Sequence, residues 1–291
     1  VYHVGLDATN PEGFALKLNS TAERQIATEA EGGNSWNSTA PTDSVFTVGN
    51  YNETNENNQS YVAYLFAHND GDGDFGPTGD QDIIKCGSYT GNGSTTGPEI
   101  NLGWEPQWLL FKDTTNANDW IIIDNMRGMV VDNDLANADA YLRPNLSNQE
   151  GASTFVEPTP TGFKVQNNGW TNVSGANIIY IAIRRGPMAV PESATDVFST
   201  TLGTNTTDWT YDAGFPVDTT FYKDTGGSSG FTFSRLTGSN YLQTNSTAAE
   251  TSYTVGFDNM SHVFVSGSSN NGWAIWDWKR APNYFDVVAY T

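Results

Sequence analysis

The sequence predicts an all-β protein made of tandem antiparallel β-sandwich units of the lectin-like or jelly-roll kind. Three observations lead there. Short runs rich in Val, Ile, Tyr, Phe and Trp are separated by Gly/Asn/Asp/Ser/Thr clusters, which is the punctuation of sandwiches and barrels. Helical periodicity is thin throughout. Related blocks also return in the same order along the chain, the mark of internal repetition.

The strand runs, in order, are SYVAYLFA at Ser60–Ala67, WLLFK at Trp108–Lys112 and WIIID at Trp120–Asp124. NIIYIAIR at Asn177–Arg184, HVFVS at His262–Ser266 and GWAIWDWK at Gly272–Lys279 follow. IIYIAI has little polar alternation, so it belongs in the centre of a sheet with both faces covered. WAIWDW alternates more clearly, and Trp273, Trp276 and Trp278 belong to a core or an interface. Ser20–Ala30 and Asp132–Ala140 could each hold a short helical turn, but neither carries a sustained apolar stripe.

The repeats read FALKLNSTAE (14–23), YLRPNLSNQE (141–150) and YLQTNSTAAE (241–250). An aromatic–β segment follows each: SVFTVG at 44–49, TGFKVQ at 161–166 and SYTVGF at 252–257. Each repeat then reaches a strong strand near a turn, SYVAYLFAHND, IIYIAIRRGP and GWAIWDWKRAP. DIIKCGSYT after Asp82 returns as the terminal DVVAYT from Asp286, and VYHVGL at the start sits where the next unit has IIIDNMRG. Four parts are therefore expected. Residues 1–81 are the later part of a first unit with an Asp/Gly-rich linker, 82–196 a second unit, 197–282 a third, and 283–291 the first strand of a further unit.

Composition narrows the function. Lys plus Arg is 13 against 33 Asp plus Glu, a formal charge of −20. Phosphate binding needs clustered Lys/Arg, so nucleic acid is not an expected partner. No apolar run approaches the length of a membrane span, and membrane insertion is not expected. Aromatics at 13%, with 9 Trp, argue against disorder. A single cysteine, Cys86, leaves no intrachain disulfide or Cys-cluster zinc site. Its apolar neighbours point to a packed thiol.

The densest charged constellation is HNDGDGDFGPTGDQD, with Asp70, Asp72, Asp74, Asp80 and Asp82. Closely spaced carboxylates with intervening Gly suit Ca²⁺. Phe75 at the turn-Gly position and Gln81 in place of the final Glu exclude an EF-hand. A Ca²⁺ site and a hydrated linker both remain open. Trp36, Trp104, Trp170 and Trp209 are flanked by Gly, Asn or Thr, which suits strand ends or loops. There an indole face and neighbouring amides could bind a sugar; the competing reading for each is core packing. His3, His68 and His262 have no metal-site spacing, and no nucleophile elbow, phosphate loop or dinucleotide fingerprint occurs. No enzymatic activity is expected. N-x-S/T sequons such as Asn19, Asn37, Asn52, Asn145 and Asn245 are read as polar turn and edge chemistry.

DIIKCGSYTGNG, LGWEPQWLLFK, WIIIDNMRG, YIAIRRGP, RLTGSNYL and WKRAPNYFDVVAYT resemble a repeat domain of large virion proteins in marine tailed bacteriophages, cyanophages especially. The resemblance implies lectin-like sandwich units strung along a long protein at the virion surface, in a tail fibre or neighbouring appendage. It carries no catalytic or binding residues. The function expected is structural and adhesive, with loop Trp, Asn and Asp side chains touching host-surface polysaccharide. The expected partners are other virion proteins and further copies of the chain, as a homotrimer by analogy with fibres. The alternatives are a non-viral extracellular carbohydrate-binding or filament-forming module, and a hydrolase such as a depolymerase.

Overall fold

The computed structural model describes residues 1–27, 34–130, 138–166, 169–186, 190–204, 211–253, 255–257, 261–265 and 270–288. A short hairpin comes first, β1 (Phe14–Ala15) against β2 (Gln25–Ile26). The first sandwich contains β3 (Ile84–Thr90), β4 (Glu99–Asn101), β5 (Pro106–Asp113), β6 (Ile121–Asp124) and β7 (Asp139–Leu142). It continues with β8 (Gly151–Ser153), β9 (Val156–Thr159), β10 (Gly162–Val165) and β11 (Asn177–Arg184). The second contains β12 (Phe198–Leu202), β13 (Thr219–Asp224), β14 (Gly230–Ser234) and β15 (Asn240–Gln243). It closes with β16 (Thr251–Ser252), β17 (Val255–Gly256), β18 (Phe264–Val265) and β19 (Trp273–Trp278). Among the described residues, helix is confined to single turns such as Asn52–Asn55 and Arg235–Thr237.

Both sandwiches follow one path. The main sheet runs β3-β11-β5-β6-β7-β8 in the first and β12-β19-β13-β14-β15-β16 in the second. In each, the last strand of the unit inserts between the first two strands of the main sheet. The tyrosine blocks fall at matching places, with Tyr141 in β7 and Tyr241 in β15. The Phe14 block forms the β1–β2 hairpin, a pairing of the same kind as β7–β8 and β15–β16. One match is displaced by a strand: TGFKVQ carries β10, while SYTVGF carries β17, which by order corresponds to β9. The two arms of a hairpin have similar composition, so composition does not separate them.

Insertion explains the apolar run of β11. It pairs with β3 from Asn177↔Thr90 to Ile183↔Ile84, and with β5 from Ile178↔Asp113 to Ile183↔Trp108. Ile178, Tyr180 and Ala182 face a core with Leu109, Phe111, Ile123 and Phe163, closed by the β4-β10-β9 layer. Phe163 makes edge contacts to Phe111 at 5.6 Å and Tyr180 at 5.4 Å, the geometry that ring quadrupoles prefer. The opposite face of the sheet is also covered. There Ile179 and Trp120 pack with Leu6 and Leu16 of the N-terminal segment. Polar ties hold this contact: Trp120 Nε1 donates to Lys17 O (3.1 Å), Lys112 Nζ to Thr21 O (3.1 Å) and Asn177 Nδ2 to Gly5 O (2.9 Å).

Three expectations need correction. Ser60–Ala67 forms no strand and has no ladder partner among the described residues. Its β-propensity matches that of β11, but a strand forms only where neighbouring backbone can bond to it. Within Ser20–Ala30, Gln25–Ile26 is strand rather than helix, and 28–30 lie outside the described residues. Asp139 and Ala140 begin β7, and 132–137 lie outside the described residues. Ser266, the end of the HVFVS run, also lies outside them.

Candidate functional site

A groove of about 990 Å³ lies where the N-terminal hairpin meets the loop around Trp36 and the Asn52–Asn55 turn. Local chemistry builds it. Asn37 and Ser38 take positive φ values of 52° and 48°, turning the chain sharply after Trp36. Asn34 Oδ1 accepts from Ser38 N at 3.2 Å, and Gly49 N donates to Ser35 O at 3.0 Å. A Cβ at Gly49 would lie 1.7 Å from Asn34 O, so only glycine permits this approach. Trp36 is half-buried; its Nε1 donates to Phe14 O at 3.0 Å and its ring meets Tyr2 edge-on at 5.9 Å. Its indole is thus fixed before any ligand arrives.

The remaining walls mix apolar side chains, Leu18 and Ile26 among them, with polar ones. Lys17 Nζ reaches Glu53 Oε1 at 2.5 Å, and that contact raises the Lys17 pKa. Arg24 lies 4.2 Å over the Phe14 ring and 3.2 Å from Asp7. Tyr51, Asn19 and Gln25 complete the rim. The groove therefore offers an oriented indole, neutral amides, and charges of which Lys17, Glu53 and Arg24 are paired. Such a lining suits an uncharged polyhydroxylated ligand better than an ion or an apolar one.

The other candidate tryptophans are placed differently. Trp104 is 6% exposed within the first core. Trp170 packs against that core, stacked on Phe155 at 5.9 Å, with the Arg143 guanidinium 5.9 Å from its ring. Trp209 lies outside the described residues. Trp276 stacks on Phe221 at 5.3 Å and Trp278 packs on Phe198, all four half-buried on the second main sheet.

The aspartate loop is organised by its own hydrogen bonds. Asp82 accepts from Gly71 N (2.8 Å) and Gly73 N (2.9 Å), closing the loop, and Asp72 accepts from Asp70 N at 2.9 Å. Asp70 pairs with Lys85 Nζ at 2.7 Å, which lowers its pKa, and Asp80 accepts from Thr78 Oγ1. Asp74 lies in the same loop next to the Phe75↔Gln81 bridge. Among the described residues, no three His, Cys, Asp or Glu side chains converge on a position for a metal ion. Cys86 is buried, and burial pushes its thiol up to about 11.

A second constellation joins the sandwiches. Arg280 after β19 grips Glu105 before β5 with both guanidinium nitrogens, at 2.8 and 2.7 Å. Arg185 after β11 reaches Asp218 before β13 at 2.6 Å. By strand order, Arg185 corresponds to Arg280 and Glu105 to Asp218, so the two units exchange equivalent ion pairs across a pseudo-two-fold joint. Arg235, 4% exposed, lies 3.6 Å from Asp218 and donates to Asn125 O of the first sandwich at 3.2 Å. Pairs this buried are costly to break and fix orientation. In the sequence RRGP and KRAP mark strand ends and carry part of the resemblance, and nothing in them pairs them with acidic residues. Their signal was two basic residues returning at one repeat position in a chain with 13.

Among the described residues, no helix is long and apolar enough to cross a membrane. No curated protein and no solved structure matches the chain. Residues 1–187, spanning the N-terminal segment with its groove and the whole first sandwich, match the family described as a domain of unknown function, DUF7483. The chain belongs to that family.

Proposed function

We propose that this chain is a structural and adhesive segment of a virion appendage, such as a tail fibre, that contacts host-surface glycans through the Trp36 groove. The observation that carries the adhesive part is the groove: a pre-oriented indole in a lining shared with neutral amides, with Lys17 and Glu53 paired to each other. The recurring sandwich path and the virion-protein resemblance of its motifs support the appendage part. One shallow groove of this kind binds weakly, and display of many copies converts weak contacts into avidity.

The test is binding of the full chain, coupled to multivalent beads, to host polysaccharide. Trp36→Ala is expected to abolish retention. Asn19→Ala and Gln25→Ala, on the exposed rim, are expected to weaken retention while leaving the circular dichroism spectrum unchanged. Retention unaffected by all three changes would remove the groove from the account.

A further inference from the structure

A cleft of about 470 Å³ opens at the joint between the sandwiches, within the size range of small-ligand sites. Trp104 and Glu105 before β5 form one wall, Arg184 and Arg185 at the end of β11 another, and residues 280–286 after β19 the third. Three arginines line it with two carboxylates, Glu105 and Asp286, leaving one surplus positive charge in a chain of −20.

The three arginines are not equally engaged. Arg280 is committed to Glu105 at 2.8 and 2.7 Å and to Asp286 at 2.6 Å, and Arg185 to Asp218 at 2.6 Å. Arg184 makes no ion pair among the described residues; its Nη1 donates to Asp82 O at 3.4 Å, a long bond. The Asp82 carboxylate is turned to Gly71 N and Gly73 N instead. Burial lowers the Arg184 pKa, opposed by the charge of Asp82. Trp104 Nε1, buried in the neighbouring wall, also finds no acceptor. A half-buried guanidinium without a counter-ion calls for an anion, and its planar fork fits a carboxylate with two parallel bonds. One surplus charge suits a monoanion. A phosphate monoester, with nearly two negative charges, would add repulsion from Glu105 and Asp286.

The remaining wall offers polar groups beside rings. The Asn283 amide, the Tyr284 hydroxyl and the Phe285 ring come from a tight turn closed by the Ala281↔Phe285 bridge, with Asn283 at φ 59°. Amides and hydroxyls next to aromatic rings suit a polyhydroxylated body. We propose that this cleft binds a carboxylate-bearing sugar, a uronate, with Arg184 holding the carboxylate and Asn283 and Tyr284 meeting its hydroxyls. The sugar body rests on the host-glycan reading; the carboxylate rests on Arg184, and the cleft is separate from the Trp36 groove.

Titration of the full chain with glucuronate, followed by nuclear magnetic resonance, tests the proposal against glucose, acetate and inorganic phosphate. Glucuronate should bind more tightly than the other three and shift the Arg184 side-chain signal. Arg184→Gln should weaken glucuronate binding by roughly tenfold or more with an unchanged circular dichroism spectrum, and Arg184→Lys should recover part of it. Trp36→Ala should leave this binding intact, so failure of the groove and failure of the cleft are read separately. Glucose, acetate or phosphate binding as tightly as glucuronate overturns the proposal, as does glucuronate binding that survives Arg184→Gln or is lost in Trp36→Ala. Absence of glucuronate binding overturns it outright.

Discussion

Ile178–Ile183 and Tyr61–Phe66 are segments of the same chemical kind in opposite surroundings. The first lies between β3 and β5 with side chains buried on both faces. The second presents Val62 and Tyr64 to solvent at 78 and 84% exposure. Both combine aromatic and aliphatic residues without charge, so intrinsic preference does not separate them. What separates them is neighbouring backbone and a facing layer. In this molecule β-propensity selects candidates, and available partners decide which become sheet.

The difference should appear first in stability. Phe163→Ala, deleting a fully buried ring beneath β11, should cost about 3–5 kcal/mol. Tyr64→Ala should stay within about 0.5 kcal/mol. Urea titrations of the two variants make the comparison. A substantial loss for Tyr64→Ala in the monomer would mean that the segment is already paired.

Next in size is the joint between the sandwiches. Arg280→Ala leaves Glu105 buried without its bidentate partner and should cost about 3 kcal/mol. It should also uncouple the melting of the two units in calorimetry. A single unshifted transition would show that the exchanged pairs do not hold the units together.

Acid should act oppositely on two regions. His3 is buried, with Nδ1 accepting from Gly5 N at 2.9 Å, so Nε2 carries the proton and donates to Tyr180 O at 2.9 Å. Burial lowers its pKa to about 4. The unfolded chain then takes the proton first, so the stability from His3 is complete above about 6.5 and is lost as pH falls toward 4. Asp277, buried in the second core beside Tyr211 at 3.3 Å, is raised to about 6 by burial. Its ionisation costs nothing below about pH 4, and the cost grows as pH rises through 6. Each effect is bounded at about 3 kcal/mol. Between pH 6.5 and 4 the N-terminal contact should loosen while the second sandwich tightens. His3→Gln and Asp277→Asn should flatten the respective responses, followed by limited proteolysis of the N-terminal segment and by melting of the second sandwich.

The all-β class and the inserted strand β11 were legible because a continuous apolar run has few other places to go. Trp36 and Trp104 have equally polar neighbours in sequence, yet one lines a groove and the other sits in a core. That outcome depends on which face of the chain each side chain takes. The exchanged ion pairs were hidden for a different reason. Glu105 and Arg280 are far apart in the chain, and only the packing of the units brings them together. Ser60–Ala67 read as a strand because its propensity was visible and its missing neighbours were not.

Amide hydrogen exchange, followed residue by residue, tests most directly whether partners rather than propensity decide the sheet. Amides in Ile178–Ile183 and Trp273–Trp278, paired on both edges, should be protected. Those in Tyr61–Ala67, without a ladder partner among the described residues, should exchange freely. Strong protection of Tyr61–Ala67 would contradict the account.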